Sequence, residues 1–336
     1  MFYMHKIMFF LSMMLGTLIA ISSYSWLSMW MGLEINLLSI IPLLSDSKNL
    51  YPSESALKYF ITQALASSIF LLAIILSLNL KEQILENFSF ISLLLNSALL
   101  TKIGAAPFHA WFPEVLEGLN WSYSLVMLTW QKIAPMILIF YNCKLSMFLF
   151  LIIISSTIIG GILGLNQISL RKIMAYSSIN HISWMLASML NNQTTWLIYF
   201  LVYSIISFNL IIIFKQYQLY YLNQLFNTLN SEKSIKLTFL LNFLSLGGLP
   251  PFLGFFPKWI VINNLVLNNF FLLSILLIIF SLVTLFFYLR ITFATIMINF
   301  SEAIIILSHK IKFSIFFVNF ISLSGLLICT LILNFI

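Results

Sequence analysis

Charge is scarce in this chain. Asp, Glu, Lys and Arg make up 7% of its 336 residues, against about 25% in an ordinary soluble domain. Hydrophobic residues make up 61% and the mean hydropathy is +1.05, so an aqueous fold is excluded. Strand-like alternation is missing too. The apolar runs far exceed the ~10-residue alternating segments of a membrane barrel, which leaves helices as the backbone that satisfies its own hydrogen bonds in lipid. Cysteine is nearly absent: Cys143 and Cys329 stand far apart, giving neither a disulfide framework nor an iron–sulfur site. There is no G-x-x-x-x-G-K-[ST] loop, no G-x-G-x-x-G fingerprint and no histidine pair at haem or metal spacing. Nucleotide chemistry and electron transfer within the chain are therefore not expected, and no cofactor-binding or metal-binding residues are assigned. The net charge is +7, but the basic residues form no dense patch and most flank apolar runs, so nucleic acid is not an expected partner. An Arg- and Ser-rich import segment is also lacking at the N-terminus. The start is either a signal anchor or that of a chain made beside its own membrane.

What is present is a series of apolar runs long enough to cross a bilayer. With about 20 residues per crossing, the chain is expected to be all-α, polytopic and a single domain over 1–336. About eleven spans are expected, near 6–23, 25–44, 56–79, 88–113, 121–142, 146–166, 170–190, 194–216, 236–267, 270–298 and 312–335. The two longest connections, around 217–235 and 299–311, are polar. This arrangement puts Lys6, Lys48, Lys58, Arg171, Lys172, Lys215, Lys233, Lys236, Lys310 and Lys312 on one face, and only Lys81 and Lys144 on the other. The positive-inside tendency then places the N-terminus on the basic side and, with an odd span number, the C-terminus opposite.

An internal repeat is visible. Pro-Phe-His-Ala-Trp-Phe-Pro at 107–113 and Pro-Phe-Leu-Gly-Phe-Phe-Pro at 251–257 share one pattern, preceded at the same offset by Gly104 and Gly248. The copies fall in the fourth and ninth spans, so the second unit is expected to be inverted in the membrane. Repeat one covers about 6–142 and repeat two about 146–298, with a further C-terminal helix at about 312–335. Paired Gly/Pro interruptions of this kind point to discontinuous helices, here near 104–107 and 247–251, lining a transport site. Simple kinks are the plainer alternative.

Four charges lie deep within these runs: Glu34, Lys102, Lys132 and Lys258. Each costs roughly 2.5–3.5 kcal/mol to place at a helix centre, which marks them as candidates for an ion or proton pathway. Glu34 must pair or take a proton, and Lys102, just before Gly104, is its expected partner. A static ion pair fixing helix packing is the alternative. Lys132 has no acid one turn away on its own helix. Desolvation favours the neutral form of such a lysine and so permits proton exchange. Lys258 follows the Gly-Gly-Leu-Pro-Pro break, whose freed carbonyls suit an ammonium, unless it is simply an interfacial lysine. His181 sits among hydroxyls and amides, as a proton relay or as a hydrogen-bonded core residue. His109 braces the break, and Glu54, Lys58, Arg171 and Lys172 read as interfacial anchors.

Five segments carry a family resemblance: Trp-Met-Gly-Leu-Glu-Ile-Asn around Glu34, Lys-Ile-Gly-Ala-Ala-Pro-Phe-His-Ala-Trp-Phe-Pro from Lys102, Thr-Trp-Gln-Lys-Ile-Ala-Pro around Lys132, Arg-Lys-Ile-Met-Ala-Tyr-Ser-Ser-Ile-Asn-His from Arg171, and Leu-Gly-Gly-Leu-Pro-Pro-Phe-Leu-Gly-Phe-Phe-Pro-Lys-Trp through Lys258. From Gly16 to Arg290 the chain resembles the antiporter-like membrane-arm subunits of respiratory complex I, NADH:ubiquinone oxidoreductase, in their shortened animal mitochondrial form. The resemblance implies a proton-translocating subunit with no redox centre of its own. NADH, FMN, iron–sulfur clusters and ubiquinone would belong to partner subunits. It matches Glu34 and Lys102 to a first half-channel pair, Lys132 to a linking lysine, Lys258 to the lysine at the second broken helix, and His181 to the central polar axis. Longer relatives carry about three additional N-terminal helices that have no counterpart here. The implied partners are other membrane-arm and accessory subunits and membrane lipids. The implied place is the mitochondrial inner membrane, with the N-terminus in the matrix and the C-terminus in the intermembrane space. The abundance of Ile, Leu, Phe, Asn and Met also suits an AT-rich organellar gene. A stand-alone cation/proton antiporter of the related family is the alternative, and a scaffold whose charges serve only assembly is a third.

Overall fold

A computed structural model describes residues 2–46, 49–79, 86–142, 146–190, 192–229, 233–297 and 319. Among these residues the protein is helical throughout, apart from one antiparallel bridge between Ser169 and Tyr221. Seven helical stretches, Trp121–Tyr141 counted as one, are long and apolar enough to cross a membrane, and three shorter apolar ones accompany them (Phe90–Ile103, Lys236–Gly247 and Phe255–Leu267). The protein is a multi-pass membrane protein. The chain forms two compact units, Met1–Ile152 and Ile153–Ile336.

In the first unit, α1 (Phe2–Ser22) and α2 (Trp26–Leu44) form a hairpin. Ser25 caps the start of α2, its side chain accepting from the Ser28 N–H. The hairpin is tight because small residues face each other: a Cβ on Gly16 would come within 2.8 Å of the Asn36 nitrogen, and Gly32 abuts Ala20. Small residues let backbones approach closely where lipid offers no hydrophobic drive to pack. Leu11, Leu15 and Leu18 point outward while Thr17 is buried, the reverse of a soluble helix. The unit continues through α3 (Leu50–Asn79), α4 (Glu86–Ile103), α5 (Trp111–Gly118), α6 (Trp121–Leu128) and α7 (Trp130–Tyr141). Helix α8 (Ser146–Gly164) runs across the limit between the units. The second unit holds α9 (Leu170–Met189), α10 (Gln193–Tyr217), α11 (Leu222–Leu229), α12 (Lys233–Gly247), α13 (Phe255–Leu267) and α14 (Phe271–Met297).

The fourth and ninth spans are interrupted where the paired Gly/Pro segments led one to expect, and the elements depart from the expected spans in three other ways. The expected fourth span is α4 and α5 separated by a turn, and the ninth is α12 and α13 likewise. The fifth is broken at Thr129 into α6 and α7. Pro135 lies inside α7; its missing N–H and its ring act on the Gln131 carbonyl, two residues past the break. The expected span at 170–190 is a helix, α9, but it does not qualify by composition. Seventeen of its twenty residues are buried, including Ser177, Ser178, Asn180, His181 and Ser183, so it needs no apolar exterior. The expected connection at 217–235 contains α11. The C-terminal helix at 312–335, the 299–311 loop and Cys143 fall outside the described residues, Asn319 excepted.

The two breaks are the same device. Helix α4 ends with Gly104 at φ +79°, and α12 ends with Gly248 at φ +77°. The Gly104 N–H reaches Thr101 O, and the Ala105 N–H reaches Leu100 O. The Gly248 N–H reaches Ser245 O, and the Leu249 N–H reaches Leu244 O. This is the Schellman closure, which requires a left-handed residue and hence favours glycine. In both copies the bond before the motif's first proline, Ala106–Pro107 and Pro250–Pro251, is cis.

Candidate functional site

Lys102, Lys132 and Lys258 are 8%, 1% and 7% exposed, so all three amines are interior. They are placed in different ways.

In the first unit Lys102 is the last-turn residue of α4. It lines a small cavity of about 20 Å³ with Leu33, Asn36 and Leu37 of α2, Tyr59 and Gln63 of α3, and Gln131 and Pro135 of α7. That is room for about one water. Asn36 and Gln131 close one side with two reciprocal amide bonds, Nδ2 to Oε1 at 2.9 Å and Nε2 to Oδ1 at 2.9 Å. Two carbonyls at the end of α4 accept from neutral donors: Trp111 Nε1 donates to Thr101 O at 3.1 Å and Gln63 Nε2 to Lys102 O at 3.4 Å.

The expected Glu34–Lys102 ion pair is not formed. Among the described residues Glu34 Oε1 is buried with no hydrogen-bond partner, although its carboxylate is near enough to Lys102 and Tyr59 to act on both through space. Helix phase is the reason. Leu33, Asn36 and Leu37 form the cavity face of α2, and at roughly 100° per residue Glu34 stands at the flank of that face, about 60° from Leu37 and about 100° from its middle.

Lys132 lies in the first turn of α7, just after the Thr129 break, with its Nζ 5.5 Å from the centroid of the Phe112 ring. An aromatic face tolerates a cation without supplying a counter-charge. Phe112 also packs against the Gly104 turn, where a Cβ would meet its ring at 3.3 Å.

In the second unit Lys258 turns back from α13 onto the break. Its Nζ donates to Gly247 O at 2.8 Å and Leu246 O at 3.3 Å, and lies 5.8 Å from the Trp184 ring centroid. Gly248 leaves the space for this: a Cβ there would come within 2.7 Å of Lys258 Cδ. His181 shares a hydrogen bond between Nδ1 and the Tyr199 hydroxyl at 2.9 Å. Its ring packs 5.0 Å from that of Tyr203. His181, Tyr199 and Tyr203 line a cavity of about 10 Å³ with Ser245, Leu246, Gly254 and Pro257, so the imidazole borders the same break that holds Lys258.

The remaining polar residues sit at the periphery. His109 bonds the Pro107 carbonyl at 3.3 Å. Lys58 bridges Glu54 of α3 and Glu114 of α5 at 3.2 and 3.1 Å. That pairing is exposed and worth little to stability. Arg171 lies over the Tyr220 ring at 4.7 Å, beside the Ser169–Tyr221 bridge. Lys172 opens α9 in the first turn.

Sequence reasoning did not find the Asn36–Gln131 bridge, the Thr129 break or the Tyr199 partner of His181. The first had a signal, since both amides belong to the charged motifs.

The repeat extends beyond the two breaks. Gly16 and Gly160, Gly32 and Tyr176, Asn36 and Asn180, Gly104 and Gly248, and Pro107 and Pro251 are each 144 positions apart. A Cβ on Gly160 would come within 2.8 Å of Asn180 N and 3.0 Å of Tyr176 O, and one on Gly16 within 2.8 Å of Asn36 N and 2.9 Å of Gly32 O. The lysines do not repeat. Lys102 precedes its break and Lys258 follows its own, at the position that Glu114 holds in the first unit.

Residues 23–287 match the transmembrane family described as NADH:quinone oxidoreductase/Mrp antiporter. The chain is 51% identical over 332 residues to NADH-ubiquinone oxidoreductase chain 2 of Anopheles gambiae, covering 96% of each. It is 40% identical over 295 residues to the protein of the same name in Bos taurus, covering 86% of this chain and 85% of that one. The chain belongs to the NADH-ubiquinone oxidoreductase chain 2 family. Its fold is shared with a chain of respiratory complex I from Thermus thermophilus, at TM-score 0.83 and 24% identity, covering 97% of this chain and 79% of that one. A chain of the Mrp complex from Dietzia sp. matches at TM-score 0.74 and 16% identity, covering 84% and 59%. Membership of the chain 2 family thus rests on sequence, whereas the kinship with Mrp antiporters is one of fold and domain.

Proposed function

We propose that this chain is the antiporter-like membrane-arm subunit of respiratory complex I and carries protons across the mitochondrial inner membrane. Electron transfer from NADH to ubiquinone in partner subunits would drive it. Family membership supports the assignment to the complex. The observation that carries the proton-transfer part is the burial of three lysines, two of them beside paired helix breaks. Lys102 and Lys132, with Glu34 acting through space, serve the first unit, and Lys258 and His181 the second. A charge arriving on Lys102 favours proton release from Lys132, because like charges in a low dielectric repel strongly. The chain itself supplies no cofactor or metal ligand in this account. Eleven spans, inversion of the second repeat, and an N-terminus in the matrix with the C-terminus in the intermembrane space complete it. Its partners are the other membrane-arm and accessory subunits and the surrounding lipid.

Two tests follow. Glu34→Gln is close to isosteric, and Glu34 Oε1 has no hydrogen bond to lose, so the complex is expected to assemble with a lower proton-to-electron ratio and slower coupled quinone reduction. A native ratio in proteoliposomes would remove Glu34 from the pathway. Orientation is tested at Cys143: a membrane-impermeant thiol reagent applied to mitoplasts is expected to label it from the intermembrane-space side, unless a neighbouring subunit covers it. Labelling from the matrix side alone would overturn the span count.

The fold shared with the Mrp chain favours a second reading, a stand-alone cation/proton antiporter. Blue-native electrophoresis separates the two, since a complex I subunit migrates in a large assembly with NADH dehydrogenase activity and a free antiporter does not.

A further inference from the structure

The Asn36–Gln131 bridge ties the helix of Glu34 to the helix of Lys132, and it lines the cavity of Lys102. None of its atoms titrates. The second unit reuses the device: Asn180, the counterpart of Asn36, donates from Nδ2 to Thr284 Oγ1 of α14 at 3.2 Å. Both asparagines are buried, at 4% and 1% exposure, and both are pressed from behind by a repeat-related glycine, Gly16 or Gly160. The two bridges differ where the lysines differ. Asn180 Oδ1 has no hydrogen-bond partner among the described residues, and the position repeat-related to Lys102 is Leu246, which bears no amine. In the first unit each amide donates one N–H to the other and accepts one from it, beside an amine and a water-sized space.

We propose that Asn36 and Gln131 are positioning residues for proton transfer at Lys102: a neutral latch that closes the Lys102 cavity on the α7 side and opens it to water when the two amides part. The inference rests on the proton-transfer role of Lys102. Primary amides suit the task because each both donates and accepts. The closed latch gives each amide one donated and one accepted bond, and the open latch offers those donors and acceptors to an entering water. A water held by two to four polar partners is stable in a space of this size.

The experiment compares three forms of the assembled complex in proteoliposomes, reading the proton-to-electron ratio. Asn36→Leu/Gln131→Leu removes both partners together, which is close to neutral for stability, and leaves the cavity wall dry. Asn36→Gln/Gln131→Asn exchanges the amides and keeps a bridge of the same total length. Lys102→Met reports the share of transport that depends on Lys102. The latch predicts that the leucine pair loses the same share as Lys102→Met and that the exchange pair restores the native ratio. A native ratio in the leucine pair, with Lys102→Met impaired, overturns the latch and leaves the role of Lys102 standing. A native ratio in Lys102→Met overturns both. If the leucine pair does not assemble, Gln131→Met, which keeps the volume of the half-buried partner, replaces it with the same two outcomes.

Discussion

Gly254→Ala is expected to abolish accumulation of the assembled complex. Gly254 is a right-handed residue at the start of α13, so its backbone does not demand glycine. Its surroundings do. A Cβ there would coincide with the Ser245 carbonyl, a backbone atom that already accepts the Gly248 N–H at 3.0 Å. Neither side has a flexible end to move, so α13 must shift against α12. The shift takes Lys258 off the Gly247 and Leu246 carbonyls and opens the His181 cavity. An overlap of this kind belongs with the exceptional single substitutions, above about 4 kcal/mol. Two neighbours calibrate it. Gly248→Ala costs about 1–2 kcal/mol for its left-handed backbone and also displaces the Lys258 side chain, so reduced assembly is expected. Gly247→Ala finds its nearest atoms at 3.6 Å, on Leu285, and is expected to assemble normally. Blue-native gels of the three variants check the order. Normal assembly of Gly254→Ala would mean that α12 and α13 do not meet as described.

The breaks were legible in the sequence because their cause is local. A glycine at positive φ and the prolines after it leave a mark within a few residues, and the mark occurs twice. The lysines were legible because a charge in a long apolar run stands out whatever it contacts. Facing was not. A soluble helix shows its inner side by apolar periodicity, but α2 has lipid on one side and core on the other, and Leu38 is exposed while Leu37 is buried. The pattern therefore gave no sign that Asn36, not Glu34, looks toward Lys102. The Asn36–Gln131 bond spans 95 residues, and no local rule predicts which two buried amides meet at that separation. In α9 the hydroxyls, the amide and His181 marked a helix kept from lipid, but the partner of that histidine, Tyr199, lies on the next helix.

Lys132→Met and Lys132→Arg are both expected to lose the proton transport that depends on this chain, for opposite reasons. Lys132 is 1% exposed, so its amine is cut off from bulk water. The Phe112 ring at 5.5 Å favours the cation. On the proposed transfer role this amine changes charge during turnover. Met keeps the apolar volume and cannot bind a proton. Arg keeps the charge and the cation–ring contact but does not release its proton, since its pKa exceeds about 12. Assembly of the Arg variant is expected, because the site already accommodates a cation. A fixed structural charge would predict a different pattern, with Arg tolerated and only Met failing.

The most direct measurement is therefore the proton-to-electron ratio of purified complex carrying Lys132→Arg, reconstituted in proteoliposomes and driven by NADH and a ubiquinone analogue. Proton transfer through Lys132 predicts an assembled, electron-transferring complex with a clearly reduced ratio. A ratio equal to that of the native complex would show that Lys132 is a static charge and contradict the account.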